Sequence, residues 1–380
     1  MKKVFAIGSF VTALVLLVSG CNKKLDPLPY YNDGSPVTLS SSKTTVAPLA
    51  SDSLAKVLAL SWTSPNYGID PNSYKYIIEM DTAGRNFAKA SRREVTGKLT
   101  DSITGRELNS ILLSYGYAIG VPVDMDVRVI SSYGNNNERL ISNTVRIKMT
   151  PYKIPPKIAL PASGRLFIVG DATTFGWSND ATPAFPAARE FSRIDETTWG
   201  GIFYLNGSGG YKLLQTQGVW DTQFHMVSGG TATAGSFVQE NADPTFPSPA
   251  TAGWYKIMID FQNGRYSVTS FGNALPQELY ITGDATVSGW SNAPPVAQKF
   301  TRLNSAEYEI TTAFTPGKFY KFLSSSGNWQ PQFGGNSATG GMLGANYGSG
   351  NDPESVPTPT TAGTYKVRVN FYTNTYKVAP

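Results

Sequence analysis

Four side chains recur as matched pairs in the C-terminal part of the chain: Trp177 with Trp290, Trp220 with Trp329, Lys212 with Lys321, and Gln223 with Gln332. Flat aromatics beside basic and amide groups suit a ligand with an apolar face and a rim of hydroxyls, the surface that a sugar ring presents. Both Trp pairs stand in Gly- and polar-rich surroundings, at Gly-Trp-Ser-Asn and at Gly-Val-Trp-Asp or Gly-Asn-Trp-Gln. Loops run over the surface, so indoles there are more often exposed than indoles within strands. The competing readings are a core-anchoring Trp in each copy, solvated strand lysines, and glutamines that bond within turns.

Catalytic chemistry finds less support. Glycoside hydrolysis needs two carboxylates flanking the scissile bond. The acids common to both copies are Asp171 with Asp284 and Asp243 with Asp352. The first pair follows a Gly at a strand exit and the second precedes a Pro, positions where Asp favours turns. His225 is the one histidine, and Gly334 stands at its place in the second copy; Cys21 is the one cysteine. These exclude a shared metal cluster, a Cys/His site and a Cys nucleophile. No phosphate-cradling glycine loop precedes a helix. The expectation is a protein that is not an enzyme and uses no cofactor or metal. The net charge of +5 is spread thinly, which argues against nucleic acid as a partner.

A duplication positions the paired residues. The decapeptide running from Gly170 to Asn179 is written again from Gly283 to Asn292, and Tyr211-Lys212-Leu213-Leu214 is answered by Tyr320-Lys321-Phe322-Leu323. A period of about 110 residues is domain-sized, unlike the 20 to 50 residues of solenoid repeats. Each copy opens with a strand, Arg165 to Val169 or Glu278 to Thr282, and closes with a hairpin. Asn263-Gly264 predicts a two-residue turn in the first copy, and Thr373-Asn374 occupies the turn in the second. The copies span 162–270 and 278–380.

Upstream, residues 37–150 hold alternating runs such as Tyr74 to Met80, Val127 to Ile130 and Val145 to Met149, the period of half-buried strands. Trp62 ends an early strand, as in an immunoglobulin or fibronectin plan, and is expected in the core. Thr104 followed by Glu107 predicts a capped short helix. Pro151, Pro155, Pro156 and Pro161 mark 151–161 as a semi-rigid linker. With 37 Gly, 25 Pro and only 16% charged residues, the fold class expected is all-β. It comprises an N-terminal immunoglobulin/fibronectin-like sandwich followed by two tandem β-sandwich modules of carbohydrate-binding type.

The first twenty residues read as a signal peptide: Lys2-Lys3, an apolar run from Val4 to Val18, then Ser19-Gly20 before Cys21. Leu17-Val18-Ser19-Gly20-Cys21 resembles the lipobox of bacterial lipoproteins, which makes Cys21 the expected lipidation site. Residues 21–36 then form a polar tether.

The lipobox, the segment with Leu60-Ser61-Trp62 and Ile78-Glu79-Met80-Asp81, and the twin Gly-Asp-Ala-x-x-x-Gly-Trp and Tyr-Lys-(Leu/Phe)-Leu modules resemble one family. It is the SusE/SusF group of outer-membrane glycan-binding lipoproteins of Bacteroidetes, and the resemblance covers nearly the whole chain. It implies a lipid-anchored outer-membrane protein on the cell surface. Such a protein binds polysaccharide without cutting it, beside a TonB-dependent transporter and companion glycan-binding lipoproteins. It also points to Trp177, Lys212 and Trp220 in one module and Trp290, Lys321 and Trp329 in the other as glycan-binding residues; Gln223 and Gln332 are added from the repeat. A structural or scaffolding lipoprotein of the same uptake complex, with its Trp residues packed inside, is the alternative.

Overall fold

The computed structural model describes residues 32–380, so the expected signal peptide, Cys21 and most of the tether lie outside the described residues. The described chain is nearly all β and divides into two compact units that meet between Ile154 and Pro155. The division falls inside the proline-rich stretch.

In the first unit two sheets face each other. Leu39–Ser41, Lys56–Trp62 and Thr100–Thr104 form one. Thr45–Val46, Val145–Met149, Val123–Ser132, Lys75–Thr82 and Ser91–Thr96 form the main path of the other. The first described strand, Leu39–Ser41, lies on the first sheet, and the next, Thr45–Val46, pairs in parallel with Val145–Met149 on the second. Alternate residues fill the space between: Leu58, Leu60 and Trp62 meet Tyr76, Ile78, Met80, Val127 and Val129, all buried. Trp62 lies 5.3 Å from the Tyr76 ring, so its expected core role holds. The helix Gly105–Ser114 starts as expected, with Thr104 and Glu107 in a capping box. Its buried Asn109 exchanges two hydrogen bonds with the backbone of Tyr152.

The second unit contains both repeats, each two-layered. In the first copy, Phe167–Val169, Gly210–Leu214 and Phe224–Met226 form one layer, and Thr198–Leu205, Gly253–Asp260 and Arg265–Ser270 lie in the other. Ala234–Gln239 pairs with both layers and joins them into one nine-stranded sheet wrapped round the core. In the second copy this strand is split at buried Leu343 into Gly340–Met342 and Gly344–Asn346, so two five-stranded sheets result. Phe224, Phe237 and Phe261 meet edge to face in the first core; Phe333 and Phe371 do so in the second.

The closing hairpins differ from the two-residue turn expected. Asp260 pairs with Arg265, leaving a four-residue loop from Phe261 to Gly264 in which only Gly264 has positive φ. Asn370 and Thr375 bound the same loop in the second copy, where Asn374 takes positive φ. The cause is packing: the wider loop drops Phe261 and Phe371 into their cores, and Asp260 and Asn370 cap the turns by accepting from the Asn263 and Thr373 amides. The two copies also pack on each other. Ile202 joins the second core, Gly200 lies against the Tyr372 ring, and Lys256 donates to the Tyr372 carbonyl at 2.9 Å.

Candidate functional site

The repeated Gly-Asp-Ala stretch is a loop anchor. Gly170 and Gly283 have φ of +145° and +143°, and a Cβ on either would meet backbone within 2.3 Å, the Gly210 carbonyl in one copy and the Phe319 carbonyl in the other. Only glycine allows this approach. The following carboxylates are spent on structure: Asp171 accepts from the Gly210 amide at 2.9 Å and Asp284 from the Phe319 amide at 2.7 Å. The loop then closes on itself, Gly170 donating to the Gly176 carbonyl and Gly283 to that of Gly289. It releases Trp177 and Trp290 to solvent, 38% and 47% exposed.

A second loop carries the other Trp of each pair, and the asparagine that ends the decapeptide clamps the two loops together. In the first copy the Gly218 amide donates to Asn179 Oδ1 at 2.7 Å, while Gln217 bridges the Pro183 carbonyl and the Phe185 amide. In the second, Asn292 and Gly327 exchange bonds and Ser326 donates to the Pro294 carbonyl. Trp329 is 42% exposed, whereas Trp220 is half-buried. Arg189, buried beneath the first loop, donates to the Phe175 and Ser178 carbonyls and lies over the Phe175 and Phe185 rings. Burial holds its guanidinium below the usual arginine range.

The lysines and glutamines lie on the outer face of the small sheet, one strand position away from core residues: Leu213 pairs with Phe224, and Phe322 with Phe333. Here the copies diverge. Lys212 is buried, donates to the Ala242 carbonyl at 2.7 Å, and is held below the usual lysine range by burial, with Asp243 opposing the shift. Buried Gln223 donates to Asn241 Oδ1, leaving its own carbonyl oxygen unpartnered. Lys321 is only half-buried and donates to Gln332 Oε1 at 2.9 Å. Gln332 in turn donates to Asp352 Oδ1 at 2.7 Å, and Asn346 to the same oxygen at 2.8 Å. Asn346, first of these amides in effect, together with Gln330, Lys321 and Gln332 holds the Asp352 carboxyl below its usual range.

In the second copy the lysine and the glutamine are therefore joined through hydrogen bonds that end on Asp352. Thr282, paired with Lys321, bonds both the amide and the carbonyl of Ser291 and so ties down the end of the loop that carries Trp290. Trp329 precedes Gln332 by three residues on the clamped loop. In the first copy only Trp177 is freely presented, and Lys212 and Gln223 are folded under. Sequence reasoning missed Asn179, Asn292 and Asn346, and read Asp352 only as a turn residue shared with Asp243. The first two were visible in the repeat, whereas Asn346 and Asp352 act through Gln332, twenty residues before Asp352. Beside Trp290 the surface opens into a groove of 580 Å³, walled by Trp290 and Phe319 with Asp284, Asn336, Glu354, Ser355 and Pro357 around it. A smaller cavity of 280 Å³ in the first copy, lined by Arg165, Phe167, Phe185 and Gln215 among others, includes neither Trp177 nor Trp220.

The solved structures to which the chain is similar include the following. SusF from Bacteroides thetaiotaomicron shows 18% identity over 88% of this chain and 74% of that one, with a TM-score of 0.32. The FN1–FN3 domains of chicken CNTN1 show 11% identity over 61% and 62%, and the Salmonella enterica SafA pilin with its SafB chaperone 10% over 62% and 96%, each with a TM-score of 0.19. No curated protein sequence matches. Residues 24–130 match the family model described as SusE outer membrane protein, so the SusE/SusF resemblance drawn from the sequence has an independent counterpart in that part of the chain.

Proposed function

We propose that this protein is a non-catalytic, lipid-anchored glycan-binding protein of the outer membrane, holding polysaccharide for uptake by a starch-utilisation-type system. In this reading it sits on the cell surface beside a TonB-dependent transporter and companion glycan-binding lipoproteins. The observation that carries it is the pair of exposed indoles, Trp290 and Trp329, on mutually clamped loops, in the module that also holds the bonded Lys321, Gln332 and Asn346. Rigid aromatic surface next to preorganised polar groups binds with little ordering cost. The similarity of residues 24–130 to an outer membrane protein family supports the location. Asp171 and Asp284, the acids most securely shared by the copies, are occupied by backbone amides, which supports binding without cleavage.

The second module is the principal site, and Trp177 with Trp220 adds a weaker one in the first. Two sites on one chain, and many chains on one membrane, raise retention through effective concentration. Affinity electrophoresis through gels containing starch, pullulan, dextran, mannan, xylan, pectin or fructan tests the proposal. Retardation by one polymer supports it and names the glycan class. Free migration through all of them contradicts it and favours the scaffolding role.

A further inference from the structure

We infer that the second module alone carries an extended sugar subsite, in the groove beside Trp290, shaped for a neutral, hydroxyl-rich sugar unit and set against uronic acids. This rests on the glycan-binding proposal and adds the chemistry of the ligand. At 580 Å³ the groove falls within the roughly 300–1,000 Å³ of small-molecule sites. Its aromatic walls are open, Trp290 and Phe319 each being 47% exposed. Its rim offers the exposed Asn336 amide and the exposed Glu354 carboxylate, and no other described side chain pairs with either. Asp284 Oδ2 lies 3.7 Å from Lys318 Nζ, so that charge is balanced and Glu354 supplies the uncompensated one. A carboxylate is acceptor-only: it takes hydrogen bonds from neighbouring hydroxyls and repels a carboxylate brought into the same groove.

The first module cannot build this subsite, although its strands keep the same register: Gly210 pairs with Pro247 as Phe319 pairs with Pro357. Gly210 stands where the second copy has Phe319, and a Cβ there would lie 2.3 Å from Thr245 Oγ1. Val227 stands at the place of Asn336. His225 stands at the place of Gly334, and a Cβ on Gly334 would meet the Glu354 carbonyl at 2.1 Å. The chain segment through Pro353 and Glu354, just before the strand Val356–Pro357, therefore crosses the sheet only over a glycine, and that crossing places Glu354 on the groove.

The test uses the full chain, purified in mild detergent, and gels containing starch, dextran, mannan or fructan, each also in a form oxidised to carry carboxylates. The expected result is retardation by a neutral polymer and about five- to tenfold weaker retention by its carboxylated form. Glu354→Gln should reduce that discrimination to about twofold or less, and Phe319→Ala should weaken binding of the neutral polymer by up to about tenfold. Near-UV circular dichroism confirms that both variants keep the fold. Equal retention by neutral and carboxylated polymers overturns the inference. So does unchanged behaviour of both variants while Trp290→Ala abolishes retention, an outcome that leaves the glycan-binding proposal standing. Retardation by no polymer overturns the proposal and the inference together.

Discussion

Gly283→Ala gives the sharpest test of how the Trp loops are anchored. The new Cβ would stand 2.3 Å from the Phe319 carbonyl oxygen, 2.6 Å from Tyr320 Cα and 3.0 Å from the Phe319 carbonyl carbon. All three are backbone atoms of one strand, so no side-chain rotation relieves the contact. The loop must retreat, which weakens three hydrogen bonds: Gly283 to the Gly289 carbonyl, Ala285 to the Phe319 carbonyl, and Phe319 to the Asp284 carboxylate. Backbone strain costs about 1–3 kcal/mol and each lost hydrogen bond about 0.5–1.5 kcal/mol, which together give about 2.5–7.5 kcal/mol. For a unit of this size that lowers Tm by about 5–30 °C. Gly289→Ala is the control: φ is +64° there, but nothing lies within 4 Å of the added Cβ, so the cost is about 1–2 kcal/mol. Thermal and urea unfolding of the full chain, followed by tryptophan fluorescence, measures both. Equal destabilisation by the two substitutions would refute the packing argument.

Lys321→Met should weaken polysaccharide retention about fivefold or more, since it removes a half-exposed cation and orphans Gln332 Oε1. Lys212→Met should change retention less than about twofold and stability by under about 1 kcal/mol, because the lost bond to Ala242 is offset by relief of a buried charge; affinity gels and urea titration check both. Iodide should quench two populations of indole. Trp177, Trp290 and Trp329 are 38%, 47% and 42% exposed and should be quenched strongly, while Trp62 and Trp199, at 4% and 1%, should be protected. Asp352 is ionised more readily in the folded chain than free. Its contribution is therefore complete above the ordinary carboxylate pKa of about 4 and lost only as pH falls through the depressed folded value. Retention measured across pH should stay level from neutrality to about pH 5, and a loss between pH 6 and 5 would contradict the Asp352 network.

What was legible in the sequence was set by local rules. Period-two alternation placed the strands around Trp62, Ile78 and Val129, and Thr104 with Glu107 marked the start of the helix Gly105–Ser114. Glycine and polar residues around Trp177, Trp290 and Trp329 pointed to exposed indoles, and those indoles are exposed. The turn type was misread because Asn-Gly speaks only for itself, whereas Phe261 is drawn inward by a core assembled from distant strands. The different fates of Lys212 and Lys321 were likewise hidden. Both alternate with core residues along equivalent strands, but what covers them arrives about thirty residues later, at Ala242 in one copy and at Asp352 to Glu354 in the other. One clue was printed: Gly334 in place of His225 is the space through which the second copy's covering segment passes.

The central claim is that loop-borne indoles hold a glycan. Its most direct test is affinity electrophoresis of the full chain carrying both Trp290→Ala and Trp329→Ala, run beside the unaltered chain through the polymer that retards the latter. Loss of retardation with an unchanged near-UV circular dichroism spectrum outside the indole bands is the predicted result. Unchanged retardation of the double variant would contradict the account.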